Sequence, residues 1–440
     1  MMFRQLKICK YSNRSSDCAI IFLSTHKALF SCLYCLKFNA SADDRFDGYN
    51  LGSQKVIPIS CVKSFNFDCT IYLKLKIMDQ PHISGTALIL TGGLLTDQYA
   101  KTAHGLLRYS RRFDIQGVID HIHAGQDAGQ VLFGHSNGVL IFPSLDSYLE
   151  DHPRPQYAVI GMATKGGRLS EELFPLVEHV LSKGIHLING LHQPLDKVQQ
   201  LHDLAYESGA IIYDIRQPKG FDDMHFWKGE KIKEVRSKII PLLGLDCAVG
   251  KRTTSRLLVD GLQTAGLSAE MIYTGQTGWM QGGGYGFLFD ATPNDFIPGE
   301  LEHALYQCYV EKKPDVIIIE GQSGLRNPSG PCGLEFILSG EADGVILQAK
   351  PSKMKYKGLE NYPVDIPDIL DEVELLERFD VPVIGLSLSG EGWTLNRIME
   401  YRDRLSQKTQ LPIGMPLLEP LDQIIDSIIK LKKRGLHLKS

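Results

Sequence analysis

The chain has 440 residues, which is too long for one compact core and favours two or three domains of ordinary size. Its 47 Lys and Arg residues against 51 Asp and Glu residues give a formal net charge of -4, so bulk charge gives no reason to expect a nucleic acid or an anionic membrane as partner. Hydrophobic residues make up 43% and charged residues 22%, values typical of a globular protein. We expect a cytoplasmic enzyme with a small-molecule substrate, and the sequence leaves a homo-oligomer open.

Residues 1–77 differ from the rest of the chain. They hold six of the nine cysteines and show neither helical nor alternating hydrophobic periodicity. The apolar stretch from Ala19 is interrupted by His26 and Lys27, which makes it a poor transmembrane span and a poor secretory signal. We expect an atypical extension or a mis-assigned start here, with regular structure beginning just after Met78. Mass spectrometry of the natural protein that found peptides upstream of Met78 would contradict this.

Residues 78–236 alternate short apolar runs with helix-like segments. The strand-like runs are TALIL, QGVID, GVLIF, YAVIG, IHLIN and AIIYD. This alternation predicts a parallel, doubly wound, Rossmann-like α/β domain with its binding crevice at the carboxyl ends of the strands. The segment from Phe221 reads as a linker with a charged helix. Residues 237–440 repeat the alternation, so we predict a second doubly wound α/β domain of the P-loop NTPase-like type.

The strongest motif is the loop from Gly244 to Thr254, set between an apolar strand and a helix. Glycines such as Gly244 and Gly250 let the backbone wrap a phosphate, and Lys251 adds a point charge beside the helix N-terminus. Asp246, inside the same loop, is a further candidate cofactor-binding residue. Five residues separate the glycines where the common motif has four, a spacing that resembles dethiobiotin synthetase. The alternative is a glycine-rich turn with a surface lysine.

The residue after the lysine departs from the common pattern. A nucleotide-hydrolysing P-loop has Ser or Thr there to bind Mg²⁺, whereas this chain has Arg252, which can hold a phosphate through two parallel hydrogen bonds. Thr253 and Thr254 follow and offer hydroxyls if the helix starts one residue later. We expect a phosphate-bearing cofactor bound without an obligatory metal, and no metal ligands. Cys247 is a candidate thiolate, although a small packed side chain is the simpler interpretation.

A second motif, from Glu320 to Gly324, follows an apolar strand directly. A carboxylate at the tip of a buried strand near a P-loop is suited to orienting a metal, a water or a nucleophile. Gln322 in this turn is a candidate substrate-binding residue. So is Gln276, in a glycine-rich segment over residues 274–284 that we expect to close over a ligand, unless it is only a flexible connector.

The first domain offers weaker candidates in the turns after its strands. Lys165 and Arg168 are candidates for holding a substrate carboxylate, and His192 is a candidate general base because its ordinary pKa is about 6.5. For each of them a structural or solvated role is an equal alternative.

Six motifs taken together resemble the domain-of-unknown-function 1611 family over about residues 84–420. They are GLDCAVGKRTT, TGQTGWMQGG, EGQSGLRNPSGPCG, HAGQDAG, KGGRL and NGLH. The resemblance implies a Rossmann-like N-terminal domain with a P-loop C-terminal domain. It also implies the activity assigned within the family, D-glutamate N-acetyltransferase, which moves an acetyl group from acetyl-CoA to a D-amino acid.

The resemblance implies that the cofactor phosphates are bound by the loop residues Gly250, Lys251, Arg252 and Thr253. Glu320 is the first choice of base for the substrate ammonium, and His192 is the second. Leu245 stands where many relatives carry a hydroxyl, so the identity of the acceptor does not transfer with the family. Two rival functions remain: an ATP-dependent ligase or kinase that uses ATP with Mg²⁺, as dethiobiotin synthetase does, and a nucleotide-sensing binding module without turnover.

Overall fold

The computed structural model describes residues 83–433, together with the backbone of five strands in the first 56 residues. Contacts divide the chain into two units, Met1–Pro81 and His82–Ser440. In the first unit, three strands form an antiparallel sheet in sequence order and two more form an antiparallel pair. They are β1 (Gln5–Asn13), β2 (Ser16–Thr25), β3 (Ala28–Leu33), β4 (Tyr49–Leu51) and β5 (Gln54–Val56).

Regular backbone therefore begins well before Met78, and the expectation that it starts only there was wrong. A short apolar run such as Ile20–Leu23 is compatible with a strand even without alternation, because periodicity does not distinguish short apolar runs. That residues 1–77 are an extension or a mis-assigned start stays a prediction.

The first sheet of the second unit has six strands, all parallel, in the order β11-β10-β9-β6-β7-β8. The strands are β6 (Gly85–Leu90), β7 (Phe113–Ile119), β8 (Ile141–Phe142), β9 (Tyr157–Ile160), β10 (His186–Asn189) and β11 (Ile212–Asp214). The chain runs outward from β6 in one direction and then returns to build β9 to β11 on the other side. This order is that of a Rossmann-like sheet, and its crevice lies between β6 and β9, where the direction reverses.

Five helices cover this sheet: α1 (Lys101–Arg108), α2 (Ala128–Phe133), α3 (Leu145–Asp151), α4 (Phe174–Ser182) and α5 (Gln199–Ser208). Local sequence sets several of their ends. Asp127 and Ser144 accept hydrogen bonds from the backbone N–H groups of Gln130 and Ser147, which caps α2 and α3. Gly209 ends α5 in the left-handed conformation at φ 73°.

The second sheet has seven parallel strands in the order β14-β13-β15-β12-β16-β17-β18. The strands are β12 (Lys238–Gly244), β13 (Ala269–Tyr273), β14 (Tyr285–Gly286), β15 (Val316–Glu320), β16 (Val345–Ala349), β17 (Val383–Leu388) and β18 (Ile413–Gly414). Its helices are α6 (Lys251–Thr264), α7 (Gln276–Met280), α8 (Ile297–Lys312), α9 (Leu334–Leu338), α10 (Ile369–Glu377), α11 (Leu395–Thr409) and α12 (Asp422–Lys430). The predicted fold class, two parallel α/β domains, is confirmed. The predicted boundary between residues 236 and 237 stays a prediction.

The segment that joins the two sheets contains no α-helix, so the predicted charged helix was wrong. It has only short 3-10 turns at Phe221–Asp223 and Ile232–Glu234. Buried carboxylates on α8 take its backbone N–H groups instead: Glu300 accepts from His225 at 2.9 Å, and Glu302 accepts from Lys228 at 3.0 Å. These side-chain acceptors compete with the backbone acceptors that a helix needs.

We had expected the glycine-rich segment at residues 274–284 to be a loop that closes over a ligand. Instead, its centre forms α7 and is buried. Trp279 is 2% exposed, Met280 is 0% exposed, and both belong to the hydrophobic core of the first sheet. Arg112 donates to the carbonyl oxygen of Trp279 at 2.7 Å. The segment therefore attaches the second domain to the first.

Within residues 83–433, no helix is both long and apolar enough to cross a membrane.

Candidate functional site

The loop from Leu245 to Gly250 connects the centre of the second sheet to α6. Gly250 takes a φ of 110°, in the left-handed region that favours glycine, and α6 starts at the next residue. Ala248 also has a positive φ, 56°. The strand, loop and helix therefore have the arrangement that the motif requires, with backbone N–H groups at a helix N-terminus.

Lys251, the lysine of the motif, is buried and connects two turns. Its ammonium donates to the carbonyl oxygens of Asp246 and Ser323, at 2.7 Å each. Burial lowers the pKa of Lys251 from its ordinary value, and the nearby Cys247 opposes that shift. Because an ammonium has three donors, these two bonds leave one for a ligand.

Asp246 holds the loop in place. It is 0% exposed, and its carboxylate accepts from the Asn327 side chain at 2.8 Å and from the backbone N–H of Lys357 at 2.8 Å. Lys353 forms an ion pair with it at 2.5 Å and also donates to the carbonyl oxygen of Cys247 at 2.8 Å. With these partners, Asp246 acts on the loop's conformation.

Gln348, on β16 beside the P-loop strand, was not predicted from the sequence. It is 1% exposed, and its Oε1 accepts from the hydroxyl of Thr254 at 2.7 Å. Its amide nitrogen donates to the carbonyl oxygen of Val249 at 3.1 Å. The signal that could have identified it is one polar side chain at the carboxyl end of an otherwise apolar buried strand.

Arg252 extends away from the loop towards the first domain. Its guanidinium lies against Gly105 of α1, where an added Cβ would be 2.7 Å from a guanidinium nitrogen. Burial lowers the pKa of Arg252, while the negative charge of Glu320 acts in the opposite direction. The residue therefore carries a positive charge into the region between the two sheets. Thr253 is half-buried at the start of the same helix.

Glu320 ends β15 next to the P-loop strand and is 5% exposed. One carboxylate oxygen accepts from the backbone N–H of Thr274 at 3.2 Å. Burial raises the pKa of Glu320 above its ordinary value, although the charges of Arg252 and Lys251 act to lower it. A carboxyl group with a raised pKa is suited to accepting and releasing a proton near neutral pH.

The turn after Glu320 packs directly on the P-loop. Gly321 and Gly324 leave no room for a Cβ because the carbonyl oxygens of Leu242 and Leu245 lie against them. Gln322 donates to the hydroxyl of Thr274 at 2.9 Å. The structure therefore brings the P-loop, Glu320 and Gln322 together at the carboxyl edge of the second sheet.

Gln276 lies at the start of α7, where it is 6% exposed and faces the first domain. An added Cβ at Gly190 would be 3.2 Å from its Cγ. His192, which lies two residues after Gly190 in the first domain, is exposed. Partial shielding from solvent lowers the pKa of His192, as do the charges of Arg216 and Lys101, while Asp290 opposes them.

The other two candidates in the first domain lie in the turn after β9. Lys165 begins a short 3-10 turn, and its side chain lies outside the described residues. Arg168 is exposed, and its carbonyl oxygen accepts from the hydroxyl of Thr164. This turn contacts the turn of His192, because Gln193 donates its backbone N–H to Gly167 at 2.9 Å.

Lys101, the first residue of α1, is a further basic residue at this site that the sequence analysis missed. Burial lowers its pKa to about 8, together with the charges of Lys357, Arg216 and Arg252, while Cys247 acts in the opposite direction. Lys101 thus brings a cation from the first domain towards the P-loop. Among residues 83–433, no group of three or more His, Cys, Asp or Glu side chains is arranged to bind a metal ion.

Comparison with known proteins identifies both domains. Residues 121–218 match the Domain of unknown function (DUF1611_N) Rossmann-like domain, and residues 225–425 match the Domain of unknown function (DUF1611_C) P-loop domain. Together the two matches cover more than half of the chain.

Two curated relatives are each named D-glutamate N-acetyltransferase. The protein from Pseudoalteromonas sp is 28% identical over 278 residues, which cover 62% of this chain and 79% of the relative. The protein from Tritonibacter scottomollicae is 26% identical over 275 residues, which cover 61% of this chain and 80% of the relative. A likeness to these named enzymes supports a transferase as the general kind of protein.

A solved structure shares the fold. The crystal structure of a duf1611 family protein from Anabaena variabilis superposes with a TM-score of 0.71 at 28% identity, covering 79% of this chain and 99% of that one. With both domains matched in their order along the sequence, the chain belongs to the domain-of-unknown-function 1611 family.

Proposed function

We propose that this protein is an N-acetyltransferase that moves an acetyl group from acetyl-CoA to the amine of a D-amino acid such as D-glutamate. The names of the two curated relatives support the reaction. The observation that carries the proposal for the site is the position of Glu320, a buried carboxyl group with a raised pKa in the electrostatic field of Lys251 and Arg252.

The P-loop suits the phosphates of coenzyme A. Gly250 has the backbone conformation of a phosphate-binding turn, and Lys251 retains one ammonium donor. Acetyl-CoA, when bound, would supply an acetyl group activated as a thioester. Gly244, Gly250, Lys251 and Thr253 would then bind its phosphates, and Arg252 would add charge from the side of the first domain.

Glu320 would act as the base that takes a proton from the substrate ammonium. Burial raises its pKa, which is the direction that suits a carboxyl group for proton transfer near neutral pH, and Glu320 already lies at the carboxyl edge of the sheet. His192 remains the second choice, since its lowered pKa favours the neutral imidazole that accepts a proton. Gln276 and Gln322 would orient the acceptor.

The rival reading is an ATP-dependent ligase or kinase with Mg²⁺. Thr253 and Thr254, the two hydroxyls after Arg252, are the rival's candidate ligands, since Thr254 donates its proton to Gln348 but keeps its oxygen lone pairs. Calorimetric titration with acetyl-CoA and, separately, with Mg-ATP distinguishes the two. Tight Mg-ATP binding without a response to acetyl-CoA would replace our proposal with the rival.

The direct test of turnover uses purified protein, acetyl-CoA and D-glutamate. We expect N-acetyl-D-glutamate by mass spectrometry together with release of the coenzyme A thiol. Binding of acetyl-CoA without product over a panel of D-amino acids would favour the third reading, a binding module without turnover.

A further inference from the structure

Basic side chains from both domains meet between the two sheets. Lys101 belongs to the first domain, and Lys357, which follows β16, belongs to the second. Arg216 follows β11, and Arg252 is the second residue of α6. The charges of Lys357, Arg216 and Arg252 all act on Lys101, and Cys247 acts in the opposite direction.

The location of Lys101 is that of a ligand crevice. It starts the helix after β6, and the turn after β9 touches the same segment, since Ala163 donates its backbone N–H to Tyr99 at 2.7 Å. The direction of the first sheet reverses between β6 and β9, which is where open α/β sheets bind ligands.

Among the described residues, two of these four cations lack a carboxylate partner. Arg216 is paired with Asp290. Within residues 83–433, by contrast, neither Lys101 nor the ammonium of Lys357 forms an ion pair. The Lys357 ammonium lies 5.4 Å from the centre of the Tyr99 ring. Burial is the largest cause of the lowered pKa of Lys101, about 8, and the positive charge of Lys357 adds to it.

Half-buried like charges without counter-ions reduce the stability of the free protein. A purely structural lysine would gain by moving into solvent or by pairing with a carboxylate. An arrangement that costs stability at the crevice of a sheet is typical of a binding site.

We propose that Lys101 and Lys357 together bind one anionic oxygen group, a carboxylate or a phosphate, of a ligand that lies between the two sheets. The site rests on the proposed function only for the identity of that ligand, which would be the acceptor carboxylate or a phosphate of coenzyme A.

The test compares Lys101→Met and Lys357→Met with the wild-type chain by calorimetry. Methionine keeps the length of the side chain and removes the charge, and the backbone bond from Lys357 to Asp246 is unaffected. The control is Lys355→Met on the same segment, where the lysine pairs with Asp365 at 2.7 Å. The probes are inorganic pyrophosphate, D-glutamate and acetyl-CoA.

We expect both variants, but not the control, to weaken the same probe by about 10- to 100-fold, the usual effect of losing a hydrogen bond to a charged group. Each variant also removes the repulsion between the positive charges of Lys101 and Lys357. Its melting temperature should therefore equal or exceed that of the wild type. In the wild type, binding of the affected probe should weaken as pH rises above about 8, where Lys101 loses its proton in the presence of Lys357, Arg216, Arg252 and Cys247.

The affected probe identifies the source of the anion. Loss confined to D-glutamate assigns an acceptor carboxylate, and loss confined to pyrophosphate and acetyl-CoA assigns a phosphate. Unchanged affinity for all three probes in both variants would overturn the proposal, as would a wild-type chain that binds none of them. If the protein forms no acetylated product while pyrophosphate binding still depends on Lys101, the proposed function fails and the anion site stands.

Discussion

Thr254 of the P-loop helix donates its hydroxyl proton to Oε1 of Gln348, the side chain of the neighbouring strand, at 2.7 Å. Through its amide nitrogen, the same glutamine donates to the carbonyl oxygen of Val249 at 3.1 Å. One buried side chain therefore fixes both the last turn of the loop and the first turn of the helix. We therefore expect the loop conformation that would bind a phosphate to depend on Gln348.

Gln348→Leu should reduce both stability and ligand binding. The exchange leaves the Thr254 hydroxyl and the Val249 carbonyl buried without this partner, which costs about 1–3 kcal/mol of unfolding free energy for each unsatisfied group. Chemical denaturation measures this change, and calorimetry with acetyl-CoA measures the binding. The exposed Gln199→Leu on α5 is the control and should change the unfolding free energy by no more than about 0.5 kcal/mol. Equal stability of the two variants would contradict the role of Gln348.

Glu320→Gln should lower kcat by roughly 10²- to 10⁴-fold while leaving the affinity for acetyl-CoA nearly unchanged, because the amide cannot accept the ammonium proton. Steady-state kinetics with D-glutamate provide the measurement, and His192→Asn tests the second choice of base. In the wild type, burial places the pKa of Glu320 above its ordinary value of 4.5. The rate should therefore fall as pH decreases through that raised pKa. Unchanged turnover in Glu320→Gln would remove the residue from this role.

Gly105→Ala tests the contact between the domains. Alanine normally favours a helix interior over glycine by about 1 kcal/mol, but here its Cβ would lie 2.7 Å from the Arg252 guanidinium and 2.8 Å from Cγ2 of Thr277. We expect a lower melting temperature and lower activity. Gly284→Ala is the control, since no atom lies within 4 Å of its added Cβ. A melting temperature that rises in Gly105→Ala would contradict tight packing of α1 against both Arg252 and Thr277.

Glu300→Gln tests the attachment of the segment between the sheets. Burial alone would raise the pKa of Glu300, but hydrogen bonds from Lys219 and His225 outweigh burial and lower it. A carboxyl group whose pKa is lowered on folding stabilises the protein at pH values above its unfolded-state pKa. This stability is lost as the pH falls through its folded-state pKa.

The Glu300 variant should therefore melt below the wild type at pH 7, and the difference should shrink below about pH 4, near the ordinary carboxyl pKa. The exposed Glu400→Gln on α11 serves as the control. A difference in melting temperature that does not depend on pH would contradict the ionic part of this account.

The sequence was sufficient for features that depend on local order. A strand, two glycines and Lys251 in close succession predicted the P-loop, and an apolar run ending at Glu320 predicted the carboxylate beside it. Parallel sheets followed from the alternation of strands and helices. In each case, the feature is determined by residues that are close together in the sequence.

Features that depend on distant contacts were missed or wrong. Lys101 lies in an ordinary helix, and only the packing of the two domains brings it near Cys247. The glycines of residues 274–284 suggested a mobile loop, whereas the apolar side chains of Trp279 and Met280 were the better guide to a buried contact. The prediction of a charged helix after Phe221 did not take Glu300 and Glu302 into account, because they are about 75 residues away in sequence.

The central claim is that Lys251 binds the phosphates of an acyl carrier, and titration calorimetry of acetyl-CoA with the wild type and with Lys251→Met tests it most directly. We expect the wild type to bind and the variant to lose about 10-fold or more in affinity, because the charged donor at the P-loop is removed while the volume of the side chain is kept. Equal affinity of the two proteins, with circular dichroism showing both to be folded, would contradict the account.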